Sequence, residues 1–167
     1  MTAMGYTSVL CQASAEYTDR KSLFIGYVKP VSTKEEALDF ISQIRKKHSD
    51  ARHNVYAYVT RDGNSMGYSD DGEPQGTGGV PMLNVLNGNE LVDVCCVVTR
   101  YFGGTLLGVG GLVRAYTEGA KIAVAAGGIK TVAESADITG VEPENEIPET
   151  LEEEQPKEAD EKEEVAV

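Results

Sequence analysis

With 167 residues, 41% of them hydrophobic, the chain is long enough for one domain with a real core and ordinary in composition for a globular protein. Its formal charge of −12 excludes no class of partner: residues 131–167 hold 14 of the 27 Asp/Glu and 2 of the 15 Lys/Arg, leaving residues 1–130 with 13 of each and neutral. The first residues lack the basic and long apolar regions of a signal peptide, and no run reaches the ~18 apolar residues of a membrane helix, so the expected compartment is the cytoplasm, without membrane contact. Cys11, Cys95 and Cys96 cannot all pair within one chain, and Cys95-Cys96 lies in an apolar run. Reduced thiols acting as small hydrophobes fit best, with a vicinal disulfide as the sharper alternative.

In chain order, residues 6–17 and 23–29 read as two antiparallel strands around the polar turn 18–22. Ser32 or Thr33, each followed three residues later by Glu, forms a capping box, and Ala37, Leu38, Ile41 and Ile44 recur at helical spacing. A helix over 33–47 follows. The Val- and Tyr-rich run 53–60 is a strand, and 66–68 extends it as a hairpin around Arg61-Asp62-Gly63-Asn64. Pro81 suits the first turn of a short second helix that stops at Asn87-Gly88. The nearly continuous apolar run 91–99 predicts a central strand. Residues 103–111 open a third helix ending at Gly127-Gly128. This order predicts an α/β (α+β) domain over 1–130, a layered sheet with helices mainly on one face. Residues 131–141 are a linker or an edge strand, and 142–167, rich in like charges with three prolines and no aromatic residue, predict a disordered acidic tail.

Three groups of residues carry candidate chemistry. Gly76-Thr77-Gly78 and the set Gly103, Gly104, Gly108, Gly110 and Gly111 each precede a helix, where backbone N–H groups attract anions. Arg100 and Arg114 bracket the second set, so a phosphate could meet amides and a guanidinium together. The competing reading is that these glycines only permit tight turns and close packing. No Walker or dinucleotide motif is complete, because Val109 and Gly110 stand where Lys and Ser/Thr are needed. Asp70, Asp71 and Glu73 are weak candidates for holding a metal and read more readily as a turn, so no cofactor is expected. Alternation along 53–60 sets Val55, Ala57 and Val59 under helices and puts Asn54, Tyr56 and Tyr58 on the other face. If open, that face, with His53 at its start, is a stacking platform for bases or a patch for a protein; otherwise it is a half-buried sheet face. No catalytic constellation can be placed.

Lys21-Ser22-Leu23-Phe24-Ile25, Ala51-Arg52-His53-Asn54, Ser69-Asp70-Asp71-Gly72-Glu73-Pro74 with Gly76-Thr77, and Arg100-Tyr101-Phe102-Gly103-Gly104 continuing through Leu107-Gly108 and Gly110-Gly111-Leu112-Val113-Arg114-Ala115-Tyr116 together resemble the YigZ/IMPACT family. The likeness runs over about 100 residues in the family's order. Leu23 departs from it where a basic residue is expected, and the residues after Lys130 show no counterpart of the ferredoxin-like second domain of bacterial YigZ-type proteins. The resemblance implies the domain-two-like fold of ribosomal protein small-subunit five, which hosts both RNA binders and enzymes. It also implies a link to translation and stress response, since the family's eukaryotic regulators restrain a kinase pathway acting on an initiation factor during amino-acid starvation. The leading expectation is a binding or regulatory module engaging RNA, the ribosome or a translation-regulatory protein. The alternative is an enzyme acting on a phosphorylated small molecule or nucleotide at the glycine-rich face. The oligomeric state is not legible.

Overall fold

The structure, a computed structural model, describes residues 5–133. The expected acidic tail over 142–167 lies outside the described residues, as does residue 134 onward of the segment left open between linker and strand.

The elements are β1 (Gly5–Val9), β2 (Ala13–Asp19), β3 (Ser22–Pro30), α1 (Lys34–Lys47), β4 (His53–Thr60), β5 (Ser65–Ser69), α2 (Gly79–Gly88), β6 (Val94–Tyr101), α3 (Gly108–Gly127) and β7 (Ile129–Ala133). Five strands form one sheet in the order β2-β3-β6-β4-β5, every neighbouring pair antiparallel. The apolar run sits at its centre as β6, buried from Val94 to Arg100. Alternation splits β6 between two cores. Val94, Cys96 and Val98 pack with Phe24, Val28, Val55 and Tyr116 beneath α2 and α3. Cys95 and Val97 pack with Tyr27, Phe40, Ile41, Ile44 and Tyr58 beneath α1. Two of the three helices therefore share one face, in a layered α/β arrangement. Among the described residues, no helix is long and apolar enough to cross a membrane.

Local sequence explains the elements. Thr33 caps α1 by accepting from the Glu36 amide at 3.1 Å, and the Glu36 carboxylate accepts from the Ser32 amide at 2.8 Å. Asp19 pairs with Ser22, so β2 and β3 join through a two-residue turn in which Arg20 and Lys21 both adopt left-handed φ, 51° and 71°. That turn type favours Asn-Gly; here it carries two cations.

Two expectations need correction. Residues 6–17 are not one strand. The chain breaks after Val9, where Leu10 and Cys11 donate to the carbonyls of Gly128 and Gly127, and β1 leaves the main sheet to pair antiparallel with β7. The third helix starts at Gly108, with residues 103–107 remaining a loop: Gly104 at φ +91° interrupts the approach, and Gly108 at φ +80° turns the chain into the helix, whose regular dihedrals follow it.

Candidate functional site

The strand β6 ends in a charge, and what neutralises it organises this end of the domain. Arg100 is buried, and an arginine so placed requires a partner. Glu73, carried there by the loop between β5 and α2, accepts from Arg100 Nη1 at 2.8 Å through Oε2, and the Tyr116 hydroxyl of α3 donates to the same oxygen at 2.5 Å. Ser22 Oγ accepts from Arg100 Nε and Nη2, both at 3.3 Å, and from the Gly103 amide at 3.2 Å. Strand, loop, helix and hairpin are thus tied at one point. Burial, together with the Glu73 charge, pushes the Tyr116 phenol far above its usual value, so it stays a donor.

His53, at the start of β4, joins this network from the side. Its Nδ1 donates to the Asp71 carbonyl at 2.8 Å, since a carbonyl can only accept, and its Nε2 lies 3.5 Å from Glu73 Oε1. Asp71 in turn accepts from the Asn54 amide at 2.7 Å and from Arg45 at 2.6 Å. Asp70 accepts from the amides of Gly76, Gly78 and Gly79 at 2.9, 3.0 and 2.8 Å.

Above the network opens a cleft of about 300 Å³, walled by Arg52, His53, Glu73, Phe102, Leu106 and Val109 among others. One exposed cation stands in its wall. The Arg52 guanidinium, exposed there, lies over the Phe102 ring, 4.8 Å from its centroid. Outside the lining, Arg114 is exposed beside Gly110 and Gly111, and Arg20 and Lys21 are exposed in the β2–β3 turn. No carboxylate among the described residues lies within ion-pair distance of these four. Leu107, at the start of α3, supplies no side-chain cap, so the first amides of that helix have no side-chain acceptor there. Leu106 and Val109 stand 79% and 64% exposed at the mouth, an apolar lip beside the charges.

The Impact N-terminal domain, as a family, matches residues 20–124. This chain belongs to that family. It is 50% identical over 112 residues to the IMPACT family member YvyE of Bacillus subtilis, covering 66% of this chain and 52% of that protein. To YigZ of Escherichia coli it is 44% identical over 108 residues, covering 63% and 53%. A crystal structure described as that of a hypothetical protein superposes with a TM-score of 0.73 at 35% identity, over 80% of this chain and 66% of that one. The chain spans about half the length of the curated relatives it matches.

Within this Impact domain the residues singled out from sequence meet different fates. Arg114 is exposed beside Gly110 and Gly111 in the first turns of α3. Arg100 is buried at the cleft floor, with Glu73 and Ser22 taking three of its five N–H donors. The Gly76-Thr77-Gly78 turn is filled: its amides hold the carboxylate of Asp70, and Thr77 is buried with its hydroxyl donating to the Pro74 carbonyl at 2.6 Å. The anion these amides hold here is a carboxylate of the chain itself. Gly103 faces the Lys21 carbonyl, where an added Cβ would sit 1.9 Å from the oxygen. Gly104 and Gly108 shape the loop.

Asn54, Tyr56 and Tyr58 do not form an open platform. The α1 side covers them: Tyr58 is 5% exposed and stacks on the half-buried Tyr56, and Asn54 accepts from Thr99 Oγ1 at 2.7 Å. Asp70, Asp71 and Glu73 turn to three separate partners and do not converge. All three cysteines are free, with Cys11 exposed; burial raises the Cys95 thiol well above its usual value and that of Cys96 to about 12, so neither buried thiol supplies a thiolate.

Sequence reasoning missed the Glu73–Arg100–Tyr116 cluster and the Arg52–Phe102 stack. A signal existed for the first. Arg100 closes an otherwise uncharged buried strand, and a lone charge there demands a buried counter-charge from elsewhere in the chain.

Proposed function

We propose that this domain is a cytoplasmic binding and regulatory module of translation, and that it engages RNA, free or on the ribosome, through the exposed cations in and beside the cleft. One observation carries the reading: an exposed guanidinium, Arg52, stacked on Phe102 with no carboxylate partner, beside the uncapped start of α3. Guanidinium, amides and an aromatic face are the groups that hold a phosphate and stack an unpaired base. The left-handed turn at Arg20-Lys21 adds two cations to the same end, at a backbone geometry that non-glycine residues seldom adopt. The translational link follows the family resemblance, whose eukaryotic members act on an initiation-factor kinase pathway. Titrating the full chain into labelled single-stranded and duplex RNA at low salt tests the reading. Binding of the single strand that weakens steeply with salt supports it; no binding to either form refutes it.

A second reading, an enzyme acting on a phosphorylated small molecule, is favoured by His53, whose proton is fixed on Nδ1 and whose Nε2 faces a carboxylate in the cleft wall. Nucleotides and sugar phosphates should then raise the melting temperature of the full chain, and His53→Gln should abolish turnover of whichever compound does so. No stabilisation by any of them removes this reading.

A further inference from the structure

The five-stranded sheet has two edges, and they are unlike. The outer strand β2 carries Glu16 and Asp19, charges of the kind that keep an edge from pairing with other chains. The opposite edge, β5, carries none, and residues 63–69 are uncharged throughout. Met66, Gly67 and Tyr68 make no backbone hydrogen bond outside the ladder with β4. Met66 and Tyr68 are 55% and 51% exposed and, two residues apart, share a face. On the other face Gly67 lies against the Tyr58 ring, where an added Cβ would fall 2.5 Å from the phenol oxygen. The edge is short and uncharged, with two large apolar side chains exposed.

Its sequence is also symmetric in character. Ser65-Met66-Gly67-Tyr68-Ser69 reads serine, large apolar, glycine, large apolar, serine from either end. We propose that β5 pairs antiparallel with β5 of a second copy of this chain, centred on Gly67, so that the two sheets continue into one. In that register Met66 of each copy lies opposite Tyr68 of the other, two equivalent sulfur–aromatic pairs on one face. Serines meet at both ends. Of the charges flanking the seam, Arg61 pairs with Asp93 at 3.0 Å and Asp71 with Arg45, Asp70 is held by three amides and Asp62 is exposed, while the seam residues 63–69 carry no charge. Two chains of formal charge −12 thus meet along a neutral strip. A seam of five residues is at the small end of specific interfaces, below about 1,200 Å² in total, so the pairing is transient.

Sedimentation equilibrium of the full chain tests this from ~20 μM to ~1 mM, the range in which weak pairing is populated. The mass should rise with concentration from one chain toward two. Met66→Lys and Tyr68→Glu should each weaken association about tenfold, because each places a charge against an apolar side chain twice across the seam. The double variant Met66→Lys/Tyr68→Glu should recover it, since each new charge then faces its opposite in this register alone. Thermal unfolding of every variant confirms that the fold is kept. One-chain mass at every concentration, or a double variant weaker than either single one, overturns the proposal.

Discussion

Glu73 and Arg100 meet at 2.8 Å with side chains only 3% and 6% exposed, and the Tyr116 hydroxyl completes the pair on the same oxygen. Residues from two of the stretches that carry the family resemblance therefore bind each other. They hold the floor of the cleft, below the exposed Arg52 in its wall.

Breaking this pair from one side strands a buried charge. Arg100→Met should cost about 3–5 kcal/mol in urea unfolding, the usual penalty for removing one partner of a buried pair. Arg100→Met/Glu73→Gln should recover a substantial part of it. A loss under about 1 kcal/mol for the single variant would mean that solvent already reaches Glu73.

Two glycines of the same loop-helix segment should respond in opposite ways. A Cβ on Gly103 would lie 1.9 Å from the Lys21 carbonyl oxygen, a backbone atom, so Gly103→Ala forces the loop away from the hairpin and should destabilise by about 1–3 kcal/mol. On Gly110 it would meet only the end of Arg114, at 3.7 Å, and the residue is helical. Gly110→Ala should leave stability unchanged or raise it by up to ~1 kcal/mol. Chemical denaturation of both proteins checks the contrast.

The pH response falls to His48. Tyr27 donates to its Nε2 at 2.6 Å, and its Nδ1 donates at 2.7 Å to the Tyr101 hydroxyl, which donates onward to Asp50 at 2.9 Å. Burial first, and the Lys47 charge second, lower the imidazole below its ordinary value, with Asp50 opposing. Between that lowered value and the unfolded value of about 6.5, the unfolded chain binds a proton that the folded chain refuses. Stability is thus fully present above about pH 6.5 and lost as pH falls through the window. The urea midpoint should drop between about pH 7.5 and 5.5 by more in the natural chain than in His48→Gln. Equal drops would assign the response to other groups.

Much of the fold was legible because its signals are local. The capping box of Thr33 and Glu36, the apolar run of β6 and the glycines closing α3 each act over a few residues. The separation of β1 from β2 was not, because it depends on β7 arriving from more than a hundred residues away to pair with β1. The candidate site divided in the same manner. Composition and order singled out Arg100, Arg114 and the glycines alike, whereas the pairing of Arg100 depends on where Glu73 lands. The covering of Tyr56 and Tyr58 depends on α1 packing on the sheet face opposite α2 and α3. Alternation tells which residues share a face, not whether a helix will cover it.

The most direct test of the account separates the exposed cations from the floor. Affinity for single-stranded RNA should be measured against salt for the full chain and for Arg52→Ala/Arg114→Ala. The variant should stay folded, bind more weakly, and show a slope of log affinity against log salt that is shallower by about 1.4, or ~0.7 for each phosphate no longer neutralised. A folded variant with unchanged affinity and slope would contradict the claim that these exposed cations form the working surface of this domain.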